Sequence, residues 1–275
     1  SEQDAHPFLN VKSEAYSITD AVVATRAYLT SLNKKTNGQW LAVGQSQGGQ
    51  AVLGAAQYAS RAKLDYKGTV AVAPASNLAL ILAGGENQAN NEPDPIKKIN
   101  ILAPLDTFTA LITAGLRNQY PNLKFTDVFN SPTDLIAATA ETSSQNSVCY
   151  YALGQNFGNA MGAYLNKNKT LEGYPRTKTN FMSIPSINSF LTTSSQPLQK
   201  KVTTPIIIYQ GILDQTVPKQ ITDFLVSSAQ SVGTAIPSSN YRVGEWDHTT
   251  AYSSNIGNIV QDVNVLMPSN QIVKQ

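Results

Sequence analysis

Five residues near the start of the chain have the spacing of a serine nucleophile: Gly44-Gln45-Ser46-Gln47-Gly48. A serine hydroxyl attacks a carbonyl only when a base takes its proton and donors receive the charge that develops on oxygen. The flanking residues fit that task. The apolar run Trp40-Leu41-Ala42-Val43 reads as a strand that stops at Gly44, and an Ala/Gln/Leu-rich helical pattern starts directly after Ser46. A strand that hands over to a helix within one tight turn around Gly-x-Ser-x-Gly is a nucleophile elbow. Ser46 would sit at a strained backbone angle, with Gly44 and Gly48 supplying room for the close approach. A helix beginning at Gln47 would aim its first N–H groups and its positive end at the serine, so the Gln47 backbone N–H becomes the expected oxyanion donor. The plain alternative is a glycine-rich turn holding a spectator serine.

A base and an acid must lie further along, because an elbow serine takes its partners in the order serine, carboxylate, histidine. The chain has two histidines. His6 lies upstream of Ser46 and is followed by Pro7, which leaves His248 as the base in order. For the acid, Asp214 sits just beyond the apolar run Ile206-Ile207-Ile208-Tyr209-Gln210, in a turn ahead of the next helix. Asp247 is a rival, but neighbours in an extended loop point their side chains apart, so it is badly placed to hold His248. Glu245 is a third option. Outside a site, His248 would be a loop histidine and Asp214 a turn or capping aspartate.

The elements that must position these residues can be read in order. Apolar positions from Glu14 to Leu32 recur at helical spacing and end at the turn Asn37-Gly38. The helix after the elbow runs to about Arg61, and Gly68 to Pro74 reads as a strand buried on both faces. From Ala75 to about Thr204 the pattern turns helical: a loop at Asn90 to Pro95, a helix over Leu102 to Leu116, a helix capped by Ser131 with Pro132 in its first position, and an apolar face from Asn146 to Leu165. About 130 residues are too many for a connecting loop, so this region is expected to be a cap. Within it Phe157, Met161, Met182, Phe190 and Leu191 could line an acyl pocket, although cap core is their more ordinary role. Strands at Thr204 to Gly211 and Asn240 to Gly244, a helix from Lys219 to Gln230 and a closing helix reaching Met267 complete the reading.

Composition narrows the chemistry. At 275 residues, with 14% charged residues and a net charge of +2, the chain has no basic block to attract nucleic acid or an anionic membrane surface. No apolar run is read as approaching the roughly 20 residues that span a bilayer, so a soluble protein is expected. The single cysteine, Cys149, lies in the apolar run Val148 to Ala152 and is expected to be a buried thiol. Two separate histidines and one cysteine make no metal-ligand cluster, so neither metal nor other cofactor is expected. Few charges and abundant Asn, Gln, Ser and Thr suggest an exported protein, secreted or periplasmic.

Taken together, His6-Pro7-Phe8-Leu9, Gly44-Gln45-Ser46-Gln47-Gly48-Gly49, the long helical insertion, Gly211-x-x-Asp214-x-x-Val217-Pro218 and Asp247-His248 resemble the secretory lipase group of α/β-hydrolases, which holds fungal lipases of the lipase A type and bacterial secreted lipases and esterases. The resemblance covers essentially the whole chain. It implies an α/β-hydrolase fold: a mostly parallel sheet flanked by helices, with hydrolase core in residues 1–76 and 205–275 and a helical cap over 77–204. It also implies a cofactor-free serine carboxylic ester hydrolase with Ser46, Asp214 and His248 as nucleophile, acid and base, acting on a small-molecule ester or lipid through an acyl-enzyme. A peptidase, an esterase for polysaccharide or plant esters, or a non-catalytic binding protein of the same fold are the alternatives. One departure stands out. Such folds place several strands and the second oxyanion donor before the elbow, on the order of 100 residues, whereas here one helix and a short leader precede it. The first strands and the second donor are therefore expected to lie outside this chain, on a cleaved or missing N-terminal fragment, with the strand at Trp40 left as an apolar edge.

Overall fold

The computed structural model describes residues 6–141 and 149–268. In chain order the helices are α1 (Val11–Ser31), α2 (Gln47–Tyr58), α3 (Leu78–Asn91), α4 (Pro95–Arg117), α5 (Phe125–Val128), α6 (Thr133–Ala138), α7 (Tyr150–Asn168), α8 (Pro185–Ser189), α9 (Lys219–Ser231), α10 (Thr250–Ser253) and α11 (Ile256–Leu266). The strands are β1 (Gln39–Gln45), β2 (Asp65–Val72), β3 (Ile206–Gly211) and β4 (Tyr241–Gly244). The described residues divide into two compact units, one within residues 9–78 and 194–268, the other within residues 6–8, 79–141 and 149–193.

The first unit is an α/β structure built on a four-stranded, all-parallel sheet in the order β1-β2-β3-β4. β3 is buried along its whole length, as is β2 from Gly68 onward, which is why both read as unbroken apolar runs. β1 alternates instead. Trp40 and Ala42 face a core formed with Val52, Leu53 and Ala56 of α2, and with Leu225 and Val226 of α9. Val43 points the other way and is 40% exposed, because β1 is an edge paired with β2 alone. On the opposite face Val70, Val72, Ile207 and Tyr209 pack with Ala251 and Ile259 from α10 and α11. Parallel register sets Val43 against Val70, Val70 against Ile207 and Gly211 against Gly244, so the C-terminal ends of all four strands share one end of the sheet.

The second unit is helical, with one isolated antiparallel bridge between Phe129 and Thr177. Its long helix α4 starts at Asp94, whose carboxylate accepts the N–H groups of Ile96 and Lys97, with Pro95 at the first helical position. By length and composition α4 could cross a membrane, contrary to the reading that no run comes near that length. Its most apolar window is 72% buried inside the protein, as befits a core helix. Phe157, Met161, Phe190 and Leu191 are buried and Met182 is partly so.

Several local expectations are corrected. Residues 194–204 fold with the sheet rather than the helices, because Leu198 and Val202 enter its core, the carbonyl of Ser195 accepts from Gln50 and Gln196 accepts from the Asn77 N–H. Residues 6–8 join the helical unit, where Phe8 stacks on Phe108. Ser131 caps no helix: α6 begins at Thr133, and Pro132 takes the capping position. The closing helix is two, α10 and α11, broken at Asn255. Cys149 is exposed rather than buried, because it lies at the N-cap of α7, ahead of the helical turns whose apolar face packs inward. Residues 146–148, the start of the apolar stretch expected from Asn146 to Leu165, lie outside the described residues.

Candidate active site

Ser46 follows β1 directly and takes φ 57°, ψ −119°, a conformation a serine adopts only when its surroundings impose it. Backbone on both sides imposes it. The Ser46 N–H donates to the Val72 carbonyl at 2.9 Å, and its own carbonyl accepts from Gln50 at 3.0 Å and Ala75 at 3.1 Å. Gly44 is obligatory here, since a Cβ at that position would lie 2.1 Å from the Gly48 carbonyl oxygen. Gly48, expected to supply room as well, does not: a Cβ there meets open space, and it is Gly49 whose Cβ would crowd backbone, 2.9 Å from Pro74 Cα. α2 starts at Gln47, so the serine stands at the N-terminus of a twelve-residue helix, where the dipole favours negative charge.

Asp214 follows β3 by three residues and is 2% exposed. One carboxylate oxygen, Oδ1, accepts the backbone N–H groups of Thr216 and Val217 at 2.9 and 2.8 Å, which fixes the carboxylate plane. The other, Oδ2, accepts from His248 Nδ1 at 2.8 Å. Gln210 braces the arrangement from below: its carboxamide reaches Oδ2 at 3.5 Å, donates to the Val217 carbonyl at 2.9 Å and accepts from the Thr222 hydroxyl at 2.6 Å.

His248 follows β4 by four residues, and its side chain is 22% exposed. With Nδ1–H committed to a carboxylate, Nε2 is the ring nitrogen able to accept a proton. The loop that carries it is tied to its neighbours. Leu213 N–H donates to the Trp246 carbonyl, Ile212 N–H donates to Gly244, and a Cβ on Gly211 would meet the Trp246 oxygen at 2.0 Å. Gln45, beside the serine, donates its carboxamide to the His248 carbonyl at 2.6 Å.

The rival acids are placed elsewhere. Asp247 closes the turn ahead of α10, accepting from the N–H groups of Thr249 and Thr250 and from the Thr250 hydroxyl; the Thr250 backbone bond first, then the hydroxyl, holds its carboxyl below the usual range. Glu245 is exposed, and His6 belongs to the other unit. Among the described residues no group of three His, Cys, Asp or Glu side chains is gathered as a metal would need. Glu14 of α1 was missed: it is buried, and it accepts the Gln47 carboxamide at 2.6 Å. A signal existed, since Glu14 lies between Val11 and Ile18 at the three- and four-residue steps of that helix's apolar stripe.

The fold, including its likeness to lipases of the lipase A type, is shared with solved structures. A Legionella pneumophila protein provisionally classed as a hydrolase superposes with TM-score 0.65 at 13% identity, over 97% of this chain and 66% of that one. The rice cell wall degrading esterase LipA of Xanthomonas oryzae gives TM-score 0.63 at 18% identity, over 95% of this chain and 66% of that one. Candida antarctica lipase A in its closed state gives 0.62 at 17% identity, over 96% and 57%. The chain thus spans about two thirds of the length of the first two. No family profile and no curated protein matches the sequence.

Proposed function

We propose that this chain carries the catalytic centre of a serine carboxylic ester hydrolase, a lipase or esterase. The observation that carries the reading is the 2.8 Å bond from His248 Nδ1 to buried Asp214, on the same sheet end as a serine held at φ 57°. Ser46 Oγ attacks the ester carbonyl while His248 Nε2 takes the hydroxyl proton, and the tetrahedral oxyanion faces the Gln47 backbone N–H. His248 returns the proton to the alkoxide as the C–O bond breaks, so the alcohol leaves and an acyl-enzyme remains. Water then attacks with His248 again as base, the acid departs, and Ser46 recovers its proton. Asp214 keeps the imidazole in the required tautomer and stabilises its charged form.

Three further assignments belong to this reading. The substrate is an uncharged small-molecule ester or lipid, in keeping with a chain of which 14% is charged, and the solved neighbours include a lipase and a cell wall degrading esterase. The protein is exported, to the periplasm or the medium; recovery of the protein from the cytosolic fraction would refute this. The exposed apolar edge at β1, with Val43 outward, pairs with strands that another polypeptide segment supplies, which also brings the second oxyanion donor. An ester-hydrolysing preparation holding this chain as its single polypeptide would refute that last assignment.

The test is labelling with a fluorophosphonate, read by intact mass and peptide mapping. The expected result is one adduct on Ser46, absent in His248→Ala. Folded protein that stays unlabelled, even with the upstream segment added back, would overturn the reading in favour of a binding protein. An ester panel that includes plant cell wall esters separates lipase from polysaccharide esterase, and a peptide panel tests for a peptidase.

A further inference from the structure

Glu14 lies on the inner face of α1 and is 8% exposed. Its Oε1 accepts from Gln47 Nε2 at 2.6 Å, while Oε2 is buried with no hydrogen-bond partner. A buried carboxylate with one unpartnered oxygen is unfavourable, whereas a carboxylic acid in the same place carries no charge. Burial accordingly pushes this carboxyl up to about 7, and bonds from Gln47 and the Leu9 backbone offset only part of that. The partner is the telling feature. Gln47 directly follows the nucleophile and opens α2, so whatever holds its side chain also holds the first peptide of that helix.

We infer that Glu14 is a positioning residue for the oxyanion donor: it clamps the Gln47 carboxamide and thereby fixes the direction of the Gln47 backbone N–H beside Ser46. This rests on the proposed esterase reading. An oxyanion donor works because it is aimed before the charge appears, and a donor that swings must be reordered in every turnover. α1 packs along α2, where Val11 and Ala15 meet Gly54, and its ends are fixed by the Asn10 side chain accepting the Ser13 N–H and by the Leu32 N–H closing on Tyr28 and Leu29. The clamp gives that helix a part in catalysis beyond packing, through a side chain that touches no reacting atom.

The test uses the parent, the three single variants Glu14→Gln, Glu14→Ala and Gln47→Leu and one double variant, each supplied with the upstream segment, assayed with p-nitrophenyl butyrate and by 15N relaxation of the Gln47 backbone amide. Glu14→Gln keeps a neutral oxygen facing Gln47 and is expected to retain kcat within twofold. Glu14→Ala and Gln47→Leu are each expected to lower kcat about tenfold with KM little changed, and to loosen the Gln47 amide. The double variant Glu14→Ala/Gln47→Leu should lose no more than either single one, since both cut the same link. Additive losses, an unaffected kcat, or a glutamine that fails to rescue would overturn the proposal. A parent that hydrolyses no ester even with the upstream segment added back defeats the esterase reading instead. The clamp is then judged by relaxation alone: a Gln47 amide equally rigid in Glu14→Ala refutes it, and a loosened one upholds it.

Discussion

Gln45 and His248, 203 residues apart in sequence, are joined directly: the carboxamide of Gln45 donates to the backbone carbonyl of His248 at 2.6 Å. The strand that delivers the serine therefore also grips the loop that delivers the histidine. One neutral hydrogen bond contributes about 1 kcal/mol, and that energy corresponds to roughly fivefold in rate if it is expressed wholly in alignment. Gln45→Ala is expected to lower kcat by about five- to tenfold while KM and the unfolding midpoint hardly move. Steady-state kinetics on a short ester checks this, and an unchanged kcat would show that the loop needs no tether.

Asp214 and Asp247 make a matched pair of carboxylates with opposite expectations. Asp214→Asn puts an amide against His248 Nδ1 and favours the wrong tautomer, so kcat is expected to fall by about 10³ to 10⁴, with Ser46→Ala and His248→Ala falling at least as far. Asp247→Ala removes only the exposed turn bonds that lead into α10 and should leave kcat and the pH-rate profile alone. A large kinetic defect in Asp247→Ala, with Asp214→Asn near the parent, would reverse the assignment of acid.

What the sequence shows of this arrangement, and what it hides, follow from the range of the interactions. Gly44 and the strand-to-helix switch at Ser46 are local, and the unbroken apolar runs at β2 and β3 announce a parallel sheet, so the sheet end where Asp214 and His248 meet is legible. Gln210 under Asp214 and Gln45 on the His248 carbonyl are tertiary pairings without a local signature. Glu14 did leave a trace as an acid on an apolar stripe, but its partner 33 residues away was not readable. The helical unit was blurred for another reason. Asn90 to Pro95 reads as a loop by composition, although an aspartate ahead of a proline is also an N-cap followed by a first-turn proline, which is what Asp94 and Pro95 form. The Gly84-Gly85 pair and the Asn-rich end of α3 likewise hid a helix that tertiary packing sustains.

In the helical unit Arg176 grips two carboxylates, Asp106 at 2.7 and 3.1 Å and Glu86 at 2.8 and 2.9 Å. Asp106 is fully buried on α4, and burial pushes its carboxyl up to about 6 against the pull of Arg176. Removing the cation strands a buried acid, a change that typically costs about 3–5 kcal/mol. Arg176→Met should lower urea-unfolding stability by that order, and adding Asp106→Leu to it should recover much of the loss. A single variant as stable as the parent would show that the cluster contributes nothing net.

The last prediction concerns pH and Glu14. In the unfolded chain this carboxyl releases its proton near its ordinary value of 4.5, whereas in the native protein it holds the proton up to about 7. Between those values the native state binds more protons than the unfolded state, so this group's contribution makes stability fall as pH rises, and the fall levels off above about 7. At 1.36 kcal/mol for each pH unit the whole effect is on the order of 3 kcal/mol. Other carboxylates titrate over the same range, Asp106 among them, so the informative quantity is the difference between the parent and Glu14→Gln at each pH. Urea unfolding from pH 4 to 8 should show Glu14→Gln gaining on the parent steadily from about 4.5 to 7 and then holding a constant lead. A difference flat across that range would mean that Glu14 is already ionised in the folded protein at low pH, and that a donor other than Gln47 neutralises its buried oxygen.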